Sequence, residues 1–245
     1  MSEITGIDWT DSTFNPWWGC TKISPACDNC YAAALDHRTG GNHWDGNLKT
    51  LSENNWSKPF TWNRKAAKAG IRHKVFSGSM CDVFDNAADP ALRDRLFEVI
   101  RNTPNIDWQL LTKRAPNIKK MLPADWGNGW PNVWIGCTVE DVKHGLPRIE
   151  HLRQVPAKVR FLSIEPLLED LGELDLTGID WVIVGGESGP RYRPMNTAWA
   201  ESIRAQCDQQ GVAFFFKQSG GLRHGIKTLN GQTYKGFPSF EGSAA

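Results

Sequence analysis

Three of the six cysteines fall within one short stretch, W-W-G-C-T-K-I-S-P-A-C-D-N-C-Y, which runs from Trp17 to Tyr31. Cys20, Cys27 and Cys30 form a C-x6-C-x2-C cluster. Gly19 and Pro25 are residue types that let a loop turn back on itself and bring thiols to one point. Thiolate sulfur favours zinc and iron–sulfur clusters over hard cations, and a bound metal strips the thiol proton. Two metal readings follow. A zinc ion needs a fourth ligand, for which His37 and Cys81 are available. An iron–sulfur cluster needs no fourth protein ligand if a small molecule takes the unique iron. The iron–sulfur reading is preferred, with inert buried thiols as the plain alternative.

The elements that must position these cysteines alternate between strand-like and helical runs. A helix is predicted from about Asp28 to Arg38, closed by Gly40 and Gly41. Lys74–Ser79, Asp107–Thr112, Asn132–Thr138, Val159–Ile164, Asp180–Gly185 and Val212–Lys217 read as strands. Helices are expected after Asp89-Pro90, near Asn117–Leu122, near His144–Gln154, and from a Thr197 cap to Gly211. Nearly continuous apolar runs suit strands buried on both faces. The expected fold class is therefore α/β, a mostly parallel (β/α) barrel or partial barrel with an N-terminal cysteine-rich cluster loop. One domain is expected over residues 1–245, with 1–40 carrying the loop and 41–73 an irregular basic insertion.

Ligands of parallel α/β sheets sit at the carboxyl ends of the strands, and here those ends are polar or glycine. The candidate cofactor-binding residues are Ser77, Gly78, Ser79, Asp82, Thr112, Lys113, Thr138, Glu140, Glu165, Gly185, Gly186 and Glu187. Cys81, just past a strand end, is a candidate hydrogen donor or spare ligand. No phosphate loop, nucleophile elbow or H-E-x-x-H helix occurs. His37, His43, His73, His144, His151 and His224 are scattered, and none is given a catalytic role.

The formal net charge of +1 hides an uneven distribution. From Asn54 to Cys81 there is no acidic residue. That segment mixes Arg64, Lys65 and Lys68 with Trp56, Phe60 and Trp62, so the cations are candidate phosphate contacts and the rings candidate stacking platforms for DNA or RNA. A solvated helix face with aromatic feet in the core explains the same residues. The N-terminus Met1–Ile4 lacks a signal pattern, and no run approaches a membrane span. A soluble, cytoplasmic protein is expected, and oligomeric state is left open.

A three-cysteine loop ahead of a parallel barrel with polar strand ends resembles the radical S-adenosylmethionine superfamily. More closely, Thr13 to Cys20, Gly78-Ser79-Met80, Leu111-Thr112-Lys113-Arg114, Glu165-Pro166-Leu167 and Gly185-Gly186-Glu187-Ser188 resemble a phage and prophage three-cysteine protein family of unassigned function. The first gap of six residues and Asn29 before Cys30 depart from the usual superfamily pattern. The resemblance implies that Cys20, Cys27 and Cys30 ligate a 4Fe-4S cluster, that S-adenosylmethionine occupies the fourth iron, and that an external electron donor drives its cleavage to a 5'-deoxyadenosyl radical. It implies an enzyme acting on a nucleobase or nucleic-acid-linked group, as in phage-type DNA modification or repair. The rivals are a zinc-stabilised, non-enzymatic nucleic-acid-binding or partner-docking protein, and a hydrolase or nuclease using Asp82, Glu140, Glu165 and Glu187 around a hard divalent cation, with the cysteines only structural.

Overall fold

The computed structural model describes residues 5–44, 46–222 and 225–239. Met1–Ile4 and His224 lie outside the described residues. In chain order the elements are β1 (Ser12–Phe14), β2 (Trp17–Trp18), α1 (Tyr31–Arg38), β3 (Lys49–Thr50), α2 (Glu53–Trp56), α3 (Lys58–Ala69), β4 (His73–Ser77) and α4 (Pro90–Arg101). There follow β5 (Ile106–Thr112), α5 (Ile118–Met121), β6 (Val133–Thr138), α6 (Leu146–Arg153), β7 (Val159–Ile164), β8 (Trp181–Gly185), α7 (Thr197–Gln210) and β9 (Ala213–Gln218).

Seven strands form one sheet in the order β1-β4-β5-β6-β7-β8-β9, every neighbouring pair parallel. Side-chain alternation divides the apolar residues between two layers. Val75, Leu110, Ile135, Leu162, Val184 and Phe216 face the helices in the larger core. Phe76, Trp134, Phe161, Trp181, Ile183 and Phe215 face inward and pack with Trp9 in a second cluster. Trp9 shows the curl of the sheet: its ring centroid is 4.7 Å from Phe76 on β4 and 6.1 Å from Trp181 on β8. Those strands are four places apart, which in a flat sheet is about 19 Å. The sheet is a partial barrel with an aromatic-filled lumen. Gly136 on β6 is required there, because a Cβ would collide with the Phe161 ring.

The two edges of the sheet are treated differently. β1 is three residues long. Outside β9 the chain returns antiparallel, with Phe216 N–H donating to Tyr234 O (3.0 Å) and Gly236 N–H to Phe214 O (2.9 Å).

Several expectations are adjusted. The 41–73 segment is not irregular throughout, since α3 occupies much of it. Pro59 stands in its first turn, and Gly70, at φ 66°, ends it in the left-handed region that favours glycine. The first helix begins at Tyr31, because Pro25–Cys27 forms a separate 3-10 turn. Helix α6 starts at Leu146: the Asp141 carboxylate accepts from the His144 and Gly145 N–H groups and holds a turn before it. The α7 cap is Asn196, whose side chain accepts from Ala198 N–H at 3.0 Å. Asp89 caps α4 as expected, accepting from Ala91 N–H at 2.9 Å.

Candidate active site

A cavity of about 460 Å³ opens at the carboxyl ends of the strands. The same alternation that fills the lumen with rings brings Thr138, Ser163, Glu165 and Lys217 inward just above them. Trp9 and Phe76 belong to both the aromatic cluster and the cavity wall, so the lumen packing is the cavity floor. Cys20, Cys27 and Cys30 all line this cavity, as do Gly78, Ser79, Cys81, Asp82, Thr112, Lys113 and Glu187.

Two clamps hold the cysteine loop over the strand ends. Arg114, just after β5, donates from Nη1 to Cys20 Sγ (3.5 Å) and Asp82 Oδ2 (2.9 Å). Its Nη2 donates to Thr21 O (2.7 Å) and Thr21 Oγ1, and lies 3.0 Å from Asp85 Oδ2. Asp85 in turn accepts from Thr21 N–H at 3.0 Å. On the other side, Asn29 donates to Glu187 Oε2 (2.9 Å) and to Arg191 O (2.8 Å). Arg193 pairs with Glu187 and donates to Pro25 O at 2.9 Å. Burial opposes the Glu187 charge, but the hydrogen bonds from Arg193 and Asn29 bring its carboxyl below the ordinary range. Burial, with Asp82 nearby, pushes the Cys20 thiol up to about 12 against the pull of Arg114. A soft cation is what would take that proton off.

The strand-end turns are glycine-dependent. Gly78 has φ 108°, and the Asn15 side chain pins the turn by donating to Ser79 Oγ (2.9 Å) and accepting from Met80 N–H (2.8 Å). Gly185 lies beside the Glu165 carboxyl group, 3.2 Å from where its own Cβ would be. Gly186 donates to Gln218 O at 2.9 Å, and a Cβ there would collide with Ser219 O.

Not all proposed contacts reach the cavity. Glu140 is fully buried and paired with Arg148 behind the strand ends, so burial in an ion pair removes it from the site. Ser77 is fully buried and does not line the cavity. Gly185 and Gly186 likewise lie outside its lining; they make room for Glu165 and for the chain after β9. Among the described residues Asp82, Glu140, Glu165 and Glu187 do not form an acidic cluster for a divalent cation, because they are paired with Arg114, Arg148, Lys217 and Arg193 respectively. His37 is exposed on α1 and absent from the cavity lining. Among the described residues no three His, Cys, Asp or Glu side chains gather as a single ion requires. The donor set, three thiols lining one cavity, has the soft chemistry that iron–sulfur clusters and zinc take.

The basic segment is also placed differently from its reading as a nucleic-acid surface. Trp56 and Trp62 are each 3% exposed, so neither can serve as a stacking platform. Trp56 packs edge-on to Phe14 (5.3 Å), with the Arg95 guanidinium 4.4 Å over its ring. Arg64, Lys65 and Lys68 are exposed on α3, but the helix lies at the far end of the sheet. Its Asn63 accepts from Asn105 N–H (2.8 Å), immediately before β5, and Trp62 lies against His73 at the start of β4. These are amino ends of strands, opposite the cavity.

The family model described as "Protein of unknown function (DUF5131)" matches residues 4–239. The chain belongs to this family. No curated protein matches it. In fold, this DUF5131 member is similar to solved structures of spore photoproduct lyase. A cysteine-to-alanine mutant of that enzyme gives a TM-score of 0.51 at 10% identity, covering 82% of this chain and 74% of that one. A double mutant with bound AdoMet and dinucleoside spore photoproduct gives 0.48 at 11% identity, with 82% and 62% covered. The DUF5131 chain therefore spans less than two thirds of that second structure's length.

Asn29, Arg193 and the Arg114 contacts were not foreseeable as clamps from sequence. Arg193 is separated from Pro25 by most of the chain, and no local period marks such a pairing. The signal for Arg114 was its place at a strand end, where side chains converge.

Proposed function

We propose that this chain is a radical S-adenosylmethionine enzyme in which Cys20, Cys27 and Cys30 hold a 4Fe-4S cluster and the remaining iron is left for S-adenosylmethionine. The observation that carries the reading is that all three thiols line one cavity at the carboxyl ends of a parallel partial barrel. The fold likeness to spore photoproduct lyase supports the architecture. When bound, the cluster and S-adenosylmethionine supply one-electron chemistry that generates a carbon radical able to take a hydrogen atom from a substrate.

The chain's own residues do the rest. Arg114 and the Glu187–Arg193 pair orient the cysteine loop from opposite sides. The aromatic floor of Trp9 and Phe76 keeps water from below, which a reactive radical requires. Asp82, Thr112, Thr138, Glu165 and Glu187 are the polar groups available to the amine, carboxylate and ribose of the cofactor. Cys81 lines the same cavity with its thiol kept protonated by burial and is the proposed hydrogen donor. The substrate is a nucleobase or nucleic-acid-linked group, in a modification or repair of phage type. The site of action is the cytoplasm, with an external reductant; among the described residues no helix is long and apolar enough to cross a membrane.

The test is anaerobic purification followed by iron, sulfide and zinc analysis with an absorption spectrum. It is run on the wild type and on a variant with Cys20, Cys27 and Cys30 changed to Ala. About four irons and four sulfides per chain are expected, lost in the variant. S-adenosylmethionine cleavage by the reduced protein is the next assay. One tightly held zinc without iron would overturn the reading.

A further inference from the structure

The charges around the cavity do not balance locally, and the imbalance has a place. Every carboxylate lining it has its own cation: Asp82 with Arg114 (2.9 Å), Glu165 with Lys217 (2.6 Å), Glu187 with Arg193, and Asp8 with Lys227 (2.8 Å). Two further lining cations, Lys22 and Lys113, have no carboxylate within ion-pair reach among the described residues. Lys22 is exposed and Lys113 half-buried. Two aromatic rings share the same wall. Tyr31 is 56% exposed, and Trp44 is half-buried. Neither is stacked on another ring or cation among the described residues, whereas Trp9, Trp56, Trp62, Trp126, Trp130 and Trp181 all pack against other rings.

These four side chains are mounted on fixed backbone. Asp36, buried on α1, accepts from His43 N–H (2.8 Å) and bonds His43 Nδ1 (2.5 Å), which ties down the loop carrying Trp44. Gly19, next to Cys20, has no room for a Cβ beside His43 O, so the Trp44 loop lies directly against the cysteine loop. Tyr31 donates its hydroxyl to Ser79 O at 2.8 Å. Asp82 accepts from Lys113 N–H at 3.2 Å, and Lys22 follows Thr21, which Arg114 and Asp85 clamp.

Unpaired cations beside unstacked rings are the composition of a surface that follows a phosphate backbone and stacks bases on side chains. A cavity of about 460 Å³ suits one small molecule. A cofactor filling it leaves a larger substrate to approach at the mouth. Bases offer their faces to side chains only when unstacked from a duplex. We propose that the mouth of this cavity binds a single-stranded nucleic acid, with Lys22 and Lys113 on phosphates and Tyr31 and Trp44 stacking bases. This rests on the cavity being the reaction site, and it assigns to the mouth the role that the α3 segment cannot fill.

The test is fluorescence anisotropy with a labelled oligothymidylate of about 12 nucleotides, a length within the usual single-strand site range. It uses the full chain purified anaerobically, whose iron and sulfide contents are measured first. For the Lys22→Ala, Lys113→Ala double variant, affinity should fall about tenfold, with the salt slope reduced by roughly 0.7 per lost phosphate contact. Trp44→Ala should weaken binding about fivefold with the slope unchanged. Replacing Arg64, Lys65 and Lys68 by Ala should leave both untouched. Circular dichroism confirms that each variant is folded.

Binding that ignores the mouth variants, or is lost only with the α3 variant, overturns the proposal. So does thymidine monophosphate competing as well as the oligomer, since a free nucleotide is then the ligand. Iron-loaded protein that fails this test sinks the surface assignment and leaves the enzyme reading standing. Iron-free protein that passes sinks the enzyme reading alone.

Discussion

Arg114 touches Cys20, Thr21, Asp82 and Asp85 with one buried guanidinium, a set of contacts that depends on a planar fork of donors. Lysine keeps the charge but is a point donor. Arg114→Lys is therefore expected to leave the cysteine loop underclamped: anaerobically purified variant should retain less than about half the wild-type iron. Its stability should fall by about 3 kcal/mol, the scale for breaking a buried charge network, as read by denaturant unfolding. Glu187 makes a pH prediction. Because its folded carboxyl titrates below the ordinary value, it contributes stability above the unfolded pKa of about 4.3, and that contribution is lost as pH falls through the lower folded value. Glu187→Gln should flatten the acid limb of a stability–pH curve. Cys137 acts with the opposite sign. Burial raises its thiol to about 12, so the folded chain holds a proton that the unfolded chain releases from about 9 upward. Stability should drop between those values, and Cys137→Ala should remove part of that alkaline loss in equilibrium unfolding experiments.

At the scale of elements, the six later strands were legible because each is an apolar run flanked by turn residues, and burial on both faces leaves little else for such a run to be. β1 escaped notice for the same physical reason in reverse. Three residues, Ser-Thr-Phe, carry no period, and only pairing with β4 makes them a strand. α3 was partly legible: Asn, Trp and Gly read as irregular up to residue 63, while the alternative reading of a solvated helix face with aromatic feet in the core is the one that α3, with Trp56 and Trp62 buried, bears out. The alternation within β6 and β7 carries its own test. Gly136→Val would drive two methyl groups into Phe161, and the expected cost is about 1–3 kcal/mol by thermal or denaturant unfolding. A variant as stable as wild type would mean that the lumen rings repack freely.

At the scale of the molecule, the site was half legible. The cysteines announced themselves by spacing, and the rule that ligands meet the carboxyl ends of parallel strands put Asp82, Thr112, Thr138, Glu165 and Glu187 near them from the order of the chain alone. Spacing could not show that each carboxylate carries its own cation, because those partners come from other strands and loops. Nor could it show that Trp44 and Tyr31, among the described residues, are the cavity-lining rings without a ring partner.

The strand-like return of Tyr234–Gly236 alongside β9 has a consequence for solubility. An open sheet ends in rows of unsatisfied amide and carbonyl groups, a template on which another chain can add. Here one end is too short to propagate pairing, and the other is already covered. A chain truncated after Gln232 would uncover β9 with its phenylalanines. Light scattering should then show particle size growing with concentration where the full chain stays constant. The Tyr234–Gly236 return thus leaves the cavity at the strand ends open while covering an edge on which another strand could add.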